Sequence, residues 1–180
     1  MAYVDYKEFD PSKLVLGDSR PEKYGAISHK INYTYDVEEG TLIAPLRVLG
    51  PEVFSSKGIL HYNSIVKIYL DFSMNKEFVT DFIQVLYNYL SAFNDKIKLR
   101  HPLDITLDKE GNIIKASNYF HIVNNSSVLD KLYDYTPGRG PSFKPFICFP
   151  NIIFYNGEGM VASYISSVIM SGSKSALLPE

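Results

Sequence analysis

The chain contains no tryptophan, a single cysteine and no apolar run of membrane-spanning length. Each absence removes a class of protein. With Cys148 alone there is neither an internal disulfide nor a cysteine-based metal cluster, and folding inside a cell is expected. The N-terminus "MAYVDYKEFDPSKLVLGDSRPEKYG" has early acids and no apolar centre, so no secretory signal and no membrane association are expected. An excess of one charge is also missing. The 18 Lys and Arg stand against 20 Asp and Glu, net −2, so any nucleic-acid role must rest on local basic patches rather than on bulk charge.

Catalytic patterns are scarce as well. His29, His61, His101 and His121 lie far apart and none has the spacing that puts two metal ligands on one helix face. "SGSK" at Ser171 to Lys174 fits a serine–lysine pattern without the companion motifs of that enzyme class, and no Gly-rich phosphate loop is present. Asp104, Asp108 and Glu110 cluster in a polar turn rather than in the contrasting environments that an acid–base pair needs. No enzyme, metal or cofactor is expected.

What the chain does have is aromatic surface: 14 Tyr and 11 Phe, within a composition that is 46% hydrophobic and 21% charged, ordinary for a folded domain of 180 residues. Residues 1–28 are broken by Pro11, Gly17, Pro21 and Gly25 and read as an extended N-terminal arm. A single β-rich domain over 29–171 and a short tail over 172–180 follow. "HKINYTYD" and "TLIAPLRVLG" alternate as a hairpin around "VEEGT", with Pro45 placing the second strand at an edge or a bulge. In "SIVKIYLDF", Val66, Ile68, Leu70 and Phe72 are expected to face the core, with Lys67, Tyr69 and Asp71 facing out. One long amphipathic helix is expected over "NKEFVTDFIQVLYNYLSAFND", its core stripe Phe78, Phe82, Val85, Tyr89 and Phe93, widened by Val79, Leu86 and Leu90. "YFHIV", "FKPFICFPNIIFY" and "MVASYISSVIMS" read as further strands, and "NGEG" as a tight turn.

Two basic stretches stand out. "YTPGRGPSFKPFICFPN" carries Arg139 and Lys144 among Tyr135, Phe143, Phe146 and Phe149 with no acid. In "DKIKLRH", Lys96, Lys98 and Arg100 alternate with Ile97 and Leu99, which would line three cations along one face of an extended chain. Cations and rings together suit single-stranded nucleic acid, where phosphates are neutralised and bases stack. Arg139, Lys144, Lys96, Lys98 and Arg100 are the expected phosphate contacts, Phe143 and Tyr135 the expected stacking rings. The bland alternative makes the phenylalanines core and the lysines an ordinary outward face.

The segment "FDPSKLVLGDSRPEKYGAISHKINYTYDVEEGTLIAPLRVLGPEVFSSKGI", from Phe9 to Ile59, resembles the opening of a family from nucleocytoplasmic large DNA viruses: a hydrophobic-Gly-Asp stretch, an "INY" strand, a second strand with proline, then Gly-Ile. "YNSIVKIYLDF" and the following helix extend the likeness. That family is similar to the single-stranded DNA-binding proteins of short-tailed phages. The resemblance implies a mostly β, α+β fold, an oligonucleotide-binding (OB-like) antiparallel barrel or sandwich with one long helix. It also implies a non-enzymatic role in viral genome replication or repair, in the host cytoplasm, with single-stranded DNA and viral replication proteins as partners. The chain departs from the pattern in having "RVLGP" where "Q-T-P" is usual, and its tail "SGSKSALLPE" lacks the acidic character that recruits replication partners. A competing expectation is a virion structural or assembly protein, a minor capsid or scaffold component whose arm crosses a neighbouring subunit.

Overall fold

In the computed structural model the described residues are 1–53, 59–123, 126–132 and 142–171. They are mostly β, 51% strand against 21% helix, as expected. The N-terminal half holds β1 (Val4–Asp5), β2 (Leu14–Leu16), β3 (Arg20–Pro21), β4 (Ile27–Val37), β5 (Gly40–Leu49), β6 (Ile59–Tyr62) and β7 (Ile65–Asp71). The C-terminal half holds β8 (Lys98–Leu99), β9 (Asp104–Leu107), β10 (Ile113–Ile122), β11 (Phe143–Phe149), β12 (Asn151–Tyr155), β13 (Glu158–Val161) and β14 (Tyr164–Met170). The helices are α1 (Gln84–Phe93), preceded by a π-helical segment Phe78–Ile83, and α2 (Ser126–Leu132).

The strand order is β6-β7-β10-β14-β11-β5-β4-β12-β13-β8, with β1 on β5, β2 and β3 on β4, and β9 on β10. Two expectations fail here. Among the described residues the order begins at β6 and ends at β8 without a pairing between them, so the sheet is open rather than a closed barrel. Nor is it antiparallel throughout, since β1 with β5, β10 with β14 and β13 with β8 run parallel. "MVASYISSVIMS" also holds two strands, β13 and β14, which the link Ala162–Ser163 sends to opposite parts of the sheet.

The β4–β5 hairpin positions everything else. It turns through Glu38 and Glu39 and stays paired up to Asn32 opposite Pro45. Beyond that pair the strands part: Leu46 to Leu49 of β5 pair with β11, while Ile27 to Lys30 of β4 pair with β12. The segment β11–Pro150–β12 is thus a wedge in the fork, anchored where the Ile31 amide donates to the Pro150 carbonyl at 3.0 Å. Pro45 stands at the fork because proline has no amide to offer a ladder. Tyr35 repairs the broken backbone: its hydroxyl donates to the Pro45 carbonyl at 2.7 Å and accepts from the Arg47 amide at 2.9 Å. Burial pushes this phenol up to about 12.

The hairpin's inner face joins the inner faces of β7, β10, β11 and β14 beneath the helix. Ile68, Leu70 and Phe72 are buried as the alternation predicts. Rings link Tyr6, Phe78, Phe72 and Phe120, and through Phe82 reach Phe149, Phe9, Tyr33 and Tyr35, at centroid separations of 4.5 to 6.1 Å. Tyr6 and Phe9 belong to the expected arm. That segment does consist of short pieces, but it lies on the chain's own core and pairs with β4 and β5.

The helix buries Phe78, Val79, Phe82, Ile83, Leu86 and Leu90, whereas Tyr89 and Phe93 are 39% and 44% exposed. The expected stripe holds at Phe78 and Phe82 and at the widening residues Val79, Leu86 and Leu90, and it fails at Tyr89 and Phe93. A π-helical segment accommodates an extra residue within the turn, so the face that Val85 and Tyr89 would occupy in a regular α-helix passes to Leu86 and Leu90.

Candidate nucleic-acid interface

The residues singled out by sequence do not assemble into one site. Tyr135 and Arg139 lie outside the described residues. Phe143 is 0% exposed and locked to Val53 by backbone hydrogen bonds of 2.9 and 3.0 Å, so its ring has no open face for a base. The stacking role expected for it is therefore withdrawn. Phe146 and Phe149 are buried too. Lys144 points outward from β11 and is exposed.

Lys96, Lys98 and Arg100 are exposed, with Leu99 buried between the last two, so the alternation is real. Only Lys98 and Leu99 form strand; Lys96 lies in the preceding turn. An acid interrupts the row, because Glu158 sits opposite Lys98 in register and its carboxylate accepts from Arg100 at 3.4 Å. In the pairing order β13, β12, β4 and β5 stand between β8, which carries Lys98, and β11, which carries Lys144.

Strand register brings together a different set. On the outer face of the sheet Lys67 stands opposite His121, His121 beside Tyr164, Tyr164 opposite Cys148, and Cys148 opposite Arg47. These five residues cross β7, β10, β14, β11 and β5 in a line about 19 Å long, at roughly 4.8 Å per strand. None is a carboxylate. Arg47 is oriented by its Nε donating to Ser166 Oγ at 3.0 Å and by the Phe146 ring 4.1 Å beneath the guanidinium. Tyr3 covers the same ring edge-on at 5.0 Å. Asp71, on the same face, is engaged locally, accepting from the Ser73 amide at 2.8 Å.

At the Lys67 end the face deepens into a groove of about 340 Å³. Its origin is a gap in the ladder. On the edge of β10 away from β7, β9 pairs with Ile113 to Ser117 and β14 with His121 and Ile122, so among the described residues Asn118 to Phe120 have no strand beside them on that edge. Asn118 fills the gap: its Nδ2 donates to the Pro102 carbonyl and its Oδ1 accepts the Tyr119 amide, both at 2.8 Å. Lys67, Tyr119 and His121 form one wall, Arg100, His101 and Pro102 another, and Met160 to Ser163 the remainder.

The two imidazoles are held neutral. Burial, and then Lys67, keeps His121 below its ordinary value. Burial lowers His101 as well. Its Nδ1 lies 3.1 Å from both the amide and the carbonyl of Leu103, and its Nε2 lies 3.2 Å from Gln84 Oε1. Asp108, one of the clustered acids, is a turn residue whose carboxylate accepts the Asn112 and Glu110 amides at 2.8 and 2.9 Å, and these bonds hold it below the usual carboxylate range. Among the described residues no three His, Cys, Asp or Glu side chains are grouped to hold a metal ion, and no helix is long and apolar enough to cross a membrane.

Of the sequence candidates among the described residues only Arg100 lines the groove, and Lys144 shares the outer face. Lys67 is legible as outward-facing from the alternation in β7. Arg47, Tyr119 and His121 are not, because their association comes from pairing between distant parts of the chain, as the 119 positions separating Arg47 from Ser166 illustrate. No protein-family model matches the chain, and no curated protein matches it.

Proposed function

We propose that this chain is a non-enzymatic single-stranded DNA-binding protein of a large DNA virus, acting in genome replication or repair. The observation that carries the reading is the carboxylate-free row Lys67–His121–Tyr164–Cys148–Arg47, continuous with the groove beside Tyr119. Cations at both ends of the row and Lys144 on the same face neutralise phosphates. Exposed rings offer stacking at roughly 1 to 3 kcal/mol per base. A net charge of −2 concentrates attraction on this face instead of spreading it over the molecule.

The groups available favour binding without strong sequence preference. Lysine, arginine and tyrosine contact phosphates and ring faces that every nucleotide shares, whereas base identity is read by paired donors and acceptors. The competing assembly reading needs residues 1–28 free to reach a neighbour, and Tyr6 and Phe9 are packed into the chain's own ring cluster.

Fluorescence anisotropy with a labelled oligothymidylate and with a duplex of equal length, at several salt concentrations, tests the proposal. Tighter binding of the single strand, weakening linearly with the logarithm of salt, is expected. No binding of the single strand at low salt would falsify it.

A further inference from the structure

We infer that the groove at the ladder gap is a subsite for one unpaired nucleotide, with its phosphate held by Lys67 and Arg100 and its base against Tyr119. The inference rests on the single-stranded nucleic-acid reading and assigns the place where a base is gripped. At about 340 Å³ the groove lies at the lower end of the roughly 300 to 1,000 Å³ range of small-ligand clefts, enough for a nucleotide and too little for a base pair.

Its chemistry sets it apart from its neighbours. Three other grooves of similar volume among the described residues contain a carboxylate: Asp5, Glu8 and Asp36 in one, Glu22 in a second, and Glu158 in a third that adjoins this groove through Arg100 and Met160. This one has none in its own lining, its cations come from separate elements, Lys67 from β7 and Arg100 from the link after β8, and the exposed Arg100–Glu158 pair at 3.4 Å is one that a phosphate would have to displace. Tyr119 is 38% exposed. Tyr69 packs against it at 5.0 Å with the rings 63° apart and is itself tied by a hydroxyl bond to Ser117 at 2.6 Å, so the ring that lines the groove is held in place from its own sheet. Met160 supplies an apolar wall opposite. Asn118 is tied at both ends of its amide by backbone groups, Nδ2 to the Pro102 carbonyl and Oδ1 to the Tyr119 amide, so its role here is to hold the gap open.

The chain's lack of tryptophan gives a clean probe. The Tyr119→Trp variant carries a single indole, whose emission should be quenched by an oligothymidylate about eight nucleotides long, within the site sizes usual for single-strand binders. Lys67→Ala in that background should shift the quenching to higher oligonucleotide concentration, and Lys144→Ala, away from the groove, should leave the depth of quenching at saturation unchanged. Tyr119→Ala should bind roughly 5- to 150-fold more weakly, the equivalent of 1 to 3 kcal/mol of lost stacking, whereas Tyr119→Phe should bind like the parent. If the oligonucleotide binds the parent chain but Tyr119→Ala binds equally well and the indole emission does not change, the subsite is wrong while the broader reading stands. If no oligonucleotide binds at low salt, both fall.

Discussion

The two faces of the central sheet are built from alternate residues of the same strands, yet they are chemically unlike. Inward, β7, β10 and β11 present Ile68, Leu70, Phe120, Ile147 and Phe149, all at most 1% exposed. Outward they present Lys67, Tyr69, Tyr119, His121, Phe146 and Cys148, and the strands beside them add Tyr164 and Arg47. Phenylalanine dominates the inner face of these strands and tyrosine the outer one, where its hydroxyl meets water or a neighbour. An aromatic-rich composition without tryptophan is therefore two populations with separate roles, one holding the fold and one available to a ligand.

Substitutions that confuse the two populations should separate them experimentally. Phe143→Ala on the inner face and Phe82→Ala in the helical segment packed against it should each cost about 3 to 5 kcal/mol, a fall in melting temperature of roughly 6 to 20 °C for a chain of this size. For Phe143→Ala the loss should appear in thermal unfolding, with the salt slope of nucleic-acid binding unchanged in whatever fraction stays folded. Tyr35→Phe keeps the ring and removes the hydroxyl that accepts the Arg47 amide, so about 1 to 3 kcal/mol should be lost in urea unfolding without a change in the denaturant slope.

Acid should act through the groove. His101 and His121 are held below their ordinary value, near 6.5, so the unfolded chain binds protons that the folded chain resists. Stability should then be fully present above about pH 6.5 and decline as pH falls from there through the depressed folded values. Melting curves across that range read the effect, and a melting temperature that rises on acidification would contradict it. Saturating oligonucleotide should shrink the decline, because a phosphate beside Lys67 favours the charged imidazole.

The smallest stability change belongs to the outer face. The double variant Lys67→Ala, Lys144→Ala should unfold within about 0.5 kcal/mol of the parent. Its slope of log affinity against log salt should fall by roughly 1.4, at about 0.7 per phosphate contact on a single strand. A large stability loss in this variant, or an unchanged slope, would erase the contrast between the faces.

Several of these elements are legible in the order of the amino acids alone. The alternation of β4, β5 and β7 is a period-two signal, visible wherever one face is polar. β11 hides its faces because "FKPFICF" is apolar on both sides, and that is why Phe143 reads as a surface ring as readily as a core one while Lys144 does not. The helix is evident from its apolar spacing, but its phase after Phe82 depends on a π-helical segment that no residue type announces. Pro45 signals irregular pairing without revealing a fork that admits β11 and β12. The site is least legible, since a row crossing five strands is a property of register, and register is decided by partners far away in the chain.

The fork in the β4–β5 hairpin has a consequence for synthesis. On a ribosome delivering roughly 5 to 20 residues per second, β12 emerges about 125 residues after the edge of β4 that it will occupy, a delay on the order of 6 to 25 s. During that interval Ile27 to Lys30 present backbone donors and acceptors with no partner on that side, on a hairpin long enough to form by itself within microseconds. The newborn chain thus waits with half of its longest strand open, and the step that closes it is the arrival of a segment stiffened by Pro145 and Pro150 and turned back by Asn156 and Gly157 at φ 50° and 78°. A neighbouring chain that reached that edge first would pair with it in the place of β12.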